Sequence, residues 1–126
     1  MLVPDDLRYS TDHEWVRRSG DQVTIGITDY AQDALGDVVF LEVPTKGSEV
    51  VSGERISEVE STKSVSDIFA PVSGTVVEVN EALGDGPEAL NVDPYGDGWI
   101  CVIEMQDDSA FDTLMDAAAY QALTSE

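Results

Sequence analysis

Few residue types here are scarce enough for their placement to carry meaning. The chain has one histidine, His13, one cysteine, Cys101, and two lysines, Lys46 and Lys63, against 26 acidic residues. A histidine-activated nucleophile would have to use His13, which lies in the polar stretch HEW, and no Gly-x-Ser-x-Gly elbow exists. Zinc needs several Cys or His ligands, and one of each does not supply them. LGDGP and DPYGDG have the composition of calcium loops but lack the alternating oxygen ligands closed by glutamate, so they read as turns. Pairs of acids mean nothing among so many, no Gly-rich phosphate cradle is present, and Cys101 in an apolar strand reads as core.

Lys63 stands apart. It sits in EVESTKSVSD, flanked by Ser61, Thr62, Ser64 and Ser66. A lysine at a hairpin tip is ordinarily a solvated charge. Small polar neighbours, however, leave this amine uncluttered, which suits an enzyme that must grip and acylate it. An amide there would turn a charged tip into a long neutral arm. Taken alone, the residues leave both readings open.

The elements around Lys63 have to present it. DQVTIGIT puts Val23, Ile25 and Ile27 on alternate positions and predicts a strand. TDYAQDALG predicts a short helix capped by Thr28, favoured by Asp29 at its positive end and stopped by a left-handed Gly36. DVVFLEVP predicts a strand ended by Pro44, and ERISEVES and SVSDIFAP predict two more strands on either side of Lys63. In SGTVVEVNE, Thr75, Val77 and Val79 should share one face. Residues 83–98 are glycine, proline and aspartate punctuation and read as a long loop. GWICVIEM should line up Trp99, Cys101, Ile103 and Met105. The tail DSAFDTLMDAAAYQAL should be one helix presenting Phe111, Leu114, Met115 and Ala118. Many short strands with little helix predict a mainly β fold, a sandwich or small barrel.

A short echo supports this organisation. Val51-Ser52-Gly53 recurs as Val72-Ser73-Gly74, each leading into a strand that carries Glu-Val. Lys63 lies ten residues after the first glycine and eleven before the second, at the turn that would join two similar halves.

Length and charge set outer bounds. A 126-residue, 13.6 kDa chain suits one domain, residues 1–126. A net charge of −20 repels phosphate backbones and anionic lipid, which argues against nucleic-acid and membrane-surface binding and for partners with basic patches. The sequence contains no apolar run of the roughly 20 residues a membrane span needs. The start, MLVPDDLRYS, does not read as a signal or transit peptide, and a single cysteine fits a reducing cytoplasm.

ESTK followed by SVSDIFAPVSGTVVEVNE resembles the lipoyl-lysine hairpin of the glycine cleavage system H proteins. HEWV, GITDYAQDALGDVVFLEVP, NVDPYGDGWI and LMDAAAYQAL resemble that family's segments in order and spacing, so the likeness covers nearly the whole chain. A generic lipoyl domain would explain the hairpin alone, and a biotin carrier would set its lysine between methionines. Thr62 departs from the valine the family often has.

The resemblance implies a hybrid β-sandwich or barrel, a lipoyl/biotinyl-like hammerhead, with short helices, a hairpin core at about 22–104 and a C-terminal helical tail at 107–126. It implies lipoate in amide linkage on Lys63, with Glu60, Gly53 and Gly74 helping a lipoate-attaching enzyme to recognise the hairpin. It implies a carrier rather than an enzyme. The arm would receive an aminomethyl group from the pyridoxal-phosphate glycine decarboxylase (P protein). It would present that group to the tetrahydrofolate-dependent aminomethyltransferase (T protein), and be reoxidised by dihydrolipoamide dehydrogenase (L protein). Glu14 and Asp67 are expected to form a groove in which a loaded arm rests protected. The other readings are a scaffold for lipoate relay to further enzymes and an unmodified acidic binding module.

Overall fold

The computed structural model describes residues 2–125 as nine strands and five short helices. In chain order they are β1 (Arg8–Tyr9), β2 (Glu14–Ser19), β3 (Gln22–Ile27), α1 (Asp29–Leu35), β4 (Val38–Leu41), β5 (Glu49–Val50) and β6 (Arg55–Ser61). Then follow β7 (Val65–Phe69), β8 (Gly74–Val79), α2 (Ala82–Asp85), α3 (Ala89–Val92), β9 (Cys101–Met105), α4 (Ser109–Asp112) and α5 (Ala117–Thr124). Two antiparallel sheets result. One has the order β1-β2-β3-β9-β8-β5 and the other, three-stranded, the order β4-β6-β7. The hairpin β6–β7 that holds Lys63 belongs to the small sheet.

Alternation explains the packing where it is regular. Val23, Ile25 and Ile27 of β3 turn inward to meet Leu41 of β4, Val59 of β6, Ile68 of β7 and Ile103 of β9 in the main core. Each such side chain stabilises the fold by roughly 1.5–3 kcal/mol on burial. α1 starts and ends as its sequence predicts. Ala31 N donates to Thr28 Oγ1 at 3.1 Å, and Gly36 takes φ +80°.

Three sequence expectations need correction. In β8 the buried residue is Val76, not Val77, because the register against β9 slips between Val76 and Glu78. Val77 is thus the extra residue of a bulge, and of the expected face only Val79 packs against the core. The stretch 83–98 is not a structureless loop. α2 and α3 are single turns that each bury a leucine, Leu83 and Leu90.

The tail is also two helices, not one. Met115 exchanges backbone hydrogen bonds with Tyr9 at 2.8 and 2.9 Å, and α5 begins afresh where Asp116 Oδ1 accepts from Ala119 N. α5 therefore buries Ala117 and Tyr120 and leaves Ala118 exposed. It packs with Leu7, Tyr9 and Trp15 in a second core cluster, which ties the two ends of the chain together. The internal echo is a physical contact as well, since Ser52 N donates to Ser73 Oγ at 2.9 Å.

Candidate functional site

The tip of the hairpin is held by its own small residues. Ser61 N donates to the Ser64 carbonyl at 2.8 Å, while Ser61 Oγ accepts from Lys63 N at 3.2 Å and Ser64 N at 3.0 Å. Thr62 N donates to Asp37 O at 3.0 Å, pinning the tip to the segment that enters β4. The serines are therefore more than uncluttered neighbours: they fix the backbone under an exposed Lys63. The lysine side chain lies over Gly36, where a Cβ would stand 3.2 Å from Lys63 Cε. Gly36 thus serves both its left-handed conformation and the passage of that side chain.

Beside the tip runs a groove of about 260 Å³ between α1 and the free edge of β7. Ser64 and Val65, next to Lys63, line one part of it. Ile27, Ala31, Leu35, Val59 and Ile68 supply apolar wall, and Asp12, His13, Glu14, Tyr30 and Asp67 supply polar and aromatic lining. Glu14 and Asp67 are both among the residues that line this groove.

Their settings differ. Glu14 is buried, with Ser10 Oγ donating to Oε1 at 2.5 Å and Phe69 N donating to Oε2 at 3.3 Å. The second bond uses an amide of the edge strand β7, so Glu14 joins the N-terminal segment to the hairpin. Burial pushes its carboxyl up to about 7, against the opposing effect of those two bonds. Asp67 is exposed, and its Oδ1 accepts from Arg55 Nε at 3.1 Å.

His13 forms the third side of the polar end. The sequence offered it only as a poor catalytic candidate, yet the structure gives it a defined place. It is the one non-glycine residue at positive φ among the described residues, at +70°. Its Nδ1 shares a hydrogen bond of 2.8 Å with Tyr120 Oη, which is 2.7 Å from Thr28 Oγ1. Burial lowers its pKa, partly offset by Asp12, so the neutral ring is favoured. This chain couples α5, the cap of α1 and the groove wall. It was not legible because its members lie at positions 13, 28 and 120.

Glu60 is half-buried in β6, opposite both Phe40 and Val65, close to the tip. Gly53 and Gly74 lie at the other end of the hairpin, about 20 Å away along seven strand residues. Gly53 takes φ +89°, and a Cβ on Gly74 would collide with the Glu104 carbonyl across the β8–β9 pair.

Residues 7–126 match the family model described as Glycine cleavage H-protein. The chain belongs to this family. It is 53% identical over 126 residues to the glycine cleavage system H protein of an Anaeromyxobacter species, covering 100% of this chain and 98% of that one. Against the probable H protein of Haloarcula marismortui it is 56% identical over 119 residues, covering 94% of each. The crystal structure of the Mycobacterium marinum H protein superposes with a TM-score of 0.89 at 43% identity, over 98% of this chain and 99% of that one. The hybrid β fold expected from the sequence is thereby the family's own.

Proposed function

We propose that this protein is the lipoyl carrier of a glycine cleavage system, with lipoate in amide linkage on Lys63 and a loaded arm resting in the groove beside it. Membership of the H-protein family supports the carrier role and work with the other components of the system. The observation that carries the rest is the groove, which begins at the neighbours of Lys63 and is lined by a buried carboxylate, Glu14.

The residues fit such a group. The ~14 Å reach of a lipoyl-lysine is comparable to the ~13 Å that four residues of extended chain span, the separation in sequence between Lys63 and Asp67. Ile27, Ala31, Leu35 and Val65 offer apolar wall to a hydrocarbon chain and dithiolane. When bound, lipoate supplies a sulfur that accepts an aminomethyl group and a dithiol that can be reoxidised. Glu14 and Asp67 hold the terminal amine as ammonium, because an opposite charge close by raises an amine's pKa. A protonated nitrogen has no lone pair with which to expel the thiolate, and the apolar walls limit water. Glu60, at the tip, is the contact for the lipoate-attaching enzyme, while Gly53 and Gly74 act by fixing the base of the hairpin.

In this reading the chain is a protein substrate with no turnover of its own. Its partners are the glycine decarboxylase, the aminomethyltransferase and dihydrolipoamide dehydrogenase, met in the cytoplasm. Effective concentration at the end of a tethered arm replaces diffusion of a labile intermediate.

The test is intact mass and peptide mapping of the protein from its host, paired with Lys63→Arg. One lipoyl group on Lys63 is expected, and the variant should keep its fold and lose all decarboxylase-dependent exchange. Lipoate on Lys46, or exchange retained by the variant, would overturn the assignment.

A further inference from the structure

Three acidic side chains line up across the small sheet. Glu42 N, just past the end of β4, donates to the Glu58 carbonyl at 2.9 Å, and Glu58 stands directly opposite Asp67, so the row runs from the end of β4 across β6 and β7 at one level. Like charges placed opposite one another repel. One cation bridges them. Arg55, at the start of β6, puts Nη2 2.8 Å from Glu42 Oε1 and 3.5 Å from Glu58 Oε2, and Nε 3.1 Å from Asp67 Oδ1. No other basic residue occurs in β4, β6 or β7.

Asp67 is thus shared between two demands. It lines the groove, and its Oδ1 is engaged by a guanidinium over the outer row of acids. We infer that Arg55 is a positioning residue that limits how tightly the groove holds the ammonium end of a loaded arm, by competing for Asp67. This rests on the proposed resting place of the arm.

Three effects of removing Arg55 have the same sign. Asp67 loses its tie over the outer row. Repulsion from Glu58 and Glu42 then favours rotamers turned toward the free edge of β7, where the groove lies. The site also loses a positive charge, which raises the affinity of what remains for an ammonium. A carrier must surrender its cargo as well as protect it, and a competing cation built into the sheet sets that balance.

The test uses full-length lipoylated protein loaded with the aminomethyl group and studied without partners. Two quantities are read: the rate of ammonia and formaldehyde release, and the pKa of the amine from the pH titration of its carbon-13 resonance. Arg55→Gln should slow release about twofold to fivefold, the range an exposed ion pair supports, and raise the amine pKa. Asp67→Asn should do the opposite. In the Asp67→Asn background, the effect of Arg55→Gln should shrink to the part carried by charge alone, as a double-mutant cycle requires if it acts mainly through that carboxylate.

Release from Arg55→Gln at or above the wild-type rate, with Asp67→Asn still accelerating it, would sink this inference and leave the groove intact. Asp67→Asn without effect would remove Asp67 from the resting place and the inference with it. An equal response to Arg55→Gln in both backgrounds would show that Arg55 acts by charge alone and not through Asp67.

Discussion

Burial lifts the Glu14 carboxyl from the ordinary glutamate value of 4.5 to about 7. A carboxyl whose pKa is raised on folding stabilises the fold below its unfolded value, and that contribution is lost as pH rises through the folded one. For Glu14 the window runs from about 4.5 to about 7, and the gap is worth about 3 kcal/mol. Glu14→Gln keeps both neighbours satisfied, since an amide can donate to Ser10 Oγ and accept from Phe69 N. The variant should therefore be more stable than wild type by roughly 1–3 kcal/mol at pH 8 and indistinguishable from it at pH 4, by urea unfolding. A difference that does not change with pH would mean the buried charge is not what costs stability. The same substitution should hasten loss of amine from the loaded carrier, so stability and protection are opposed at this position. Scarcity and position singled out Lys63 without deciding its role. Glu14 was legible only through the family likeness, because one acid among 26 carries no mark of burial. Arg55 was invisible, since its partners come from positions 42, 58 and 67.

At the level of elements, the Tyr120 hydroxyl links α5 to the cap of α1 and to His13. Tyr120→Phe keeps the stacking on Tyr9, at 4.6 Å between ring centroids, and removes only those bonds. The expected cost is roughly 1–3 kcal/mol, read from the urea midpoint. The loss should be local as well, with the Ala31 amide exchanging faster than amides of β9 beyond the global change. Equal acceleration in both places would show that Tyr120 supports the fold without guarding the groove wall. Strand β3 and helix α1 were legible because alternation and capping are local. The bulge at Val77 was not, because it depends on the register with β9. Nor was the break at Met115, which exists because Tyr9, more than a hundred residues earlier, takes its backbone hydrogen bonds. The single turns α2 and α3 were hidden by glycines and a proline, although Leu83 and Leu90 were apolar marks that a loop has no need to bury.

For the whole molecule, a charge of −20 on 126 residues acts in two directions. Self-repulsion weakens the compact state, while the same field draws in partners with basic surfaces. Salt screens both, with the Debye length falling from about 10 Å at 0.1 M to about 3 Å at 1 M. The urea midpoint should therefore rise across this range while the apparent KM of the decarboxylase for this carrier also rises. A midpoint that stays level would remove repulsion as a limit on stability. A level KM would reduce the acidity to a matter of solubility. The overall fold class was legible because many short alternating segments leave few other architectures open. The pairing of strands into a sheet of six and a sheet of three was not, because the sequence between turns does not say which edges meet.

Cys101 opens β9 with no exposed surface, and burial pushes its thiol up to about 12. A thiolate is the species that attacks a disulfide, and here it is neither formed at neutral pH nor reachable. A carrier that brings a cyclic disulfide and its reduced form to several active sites would be short-circuited by any accessible sulfur of its own. With its one cysteine sealed in the core, the chain is electrically inert toward its own cargo. On the proposed reading, no thiol of the chain itself offers electrons on the arm a way off.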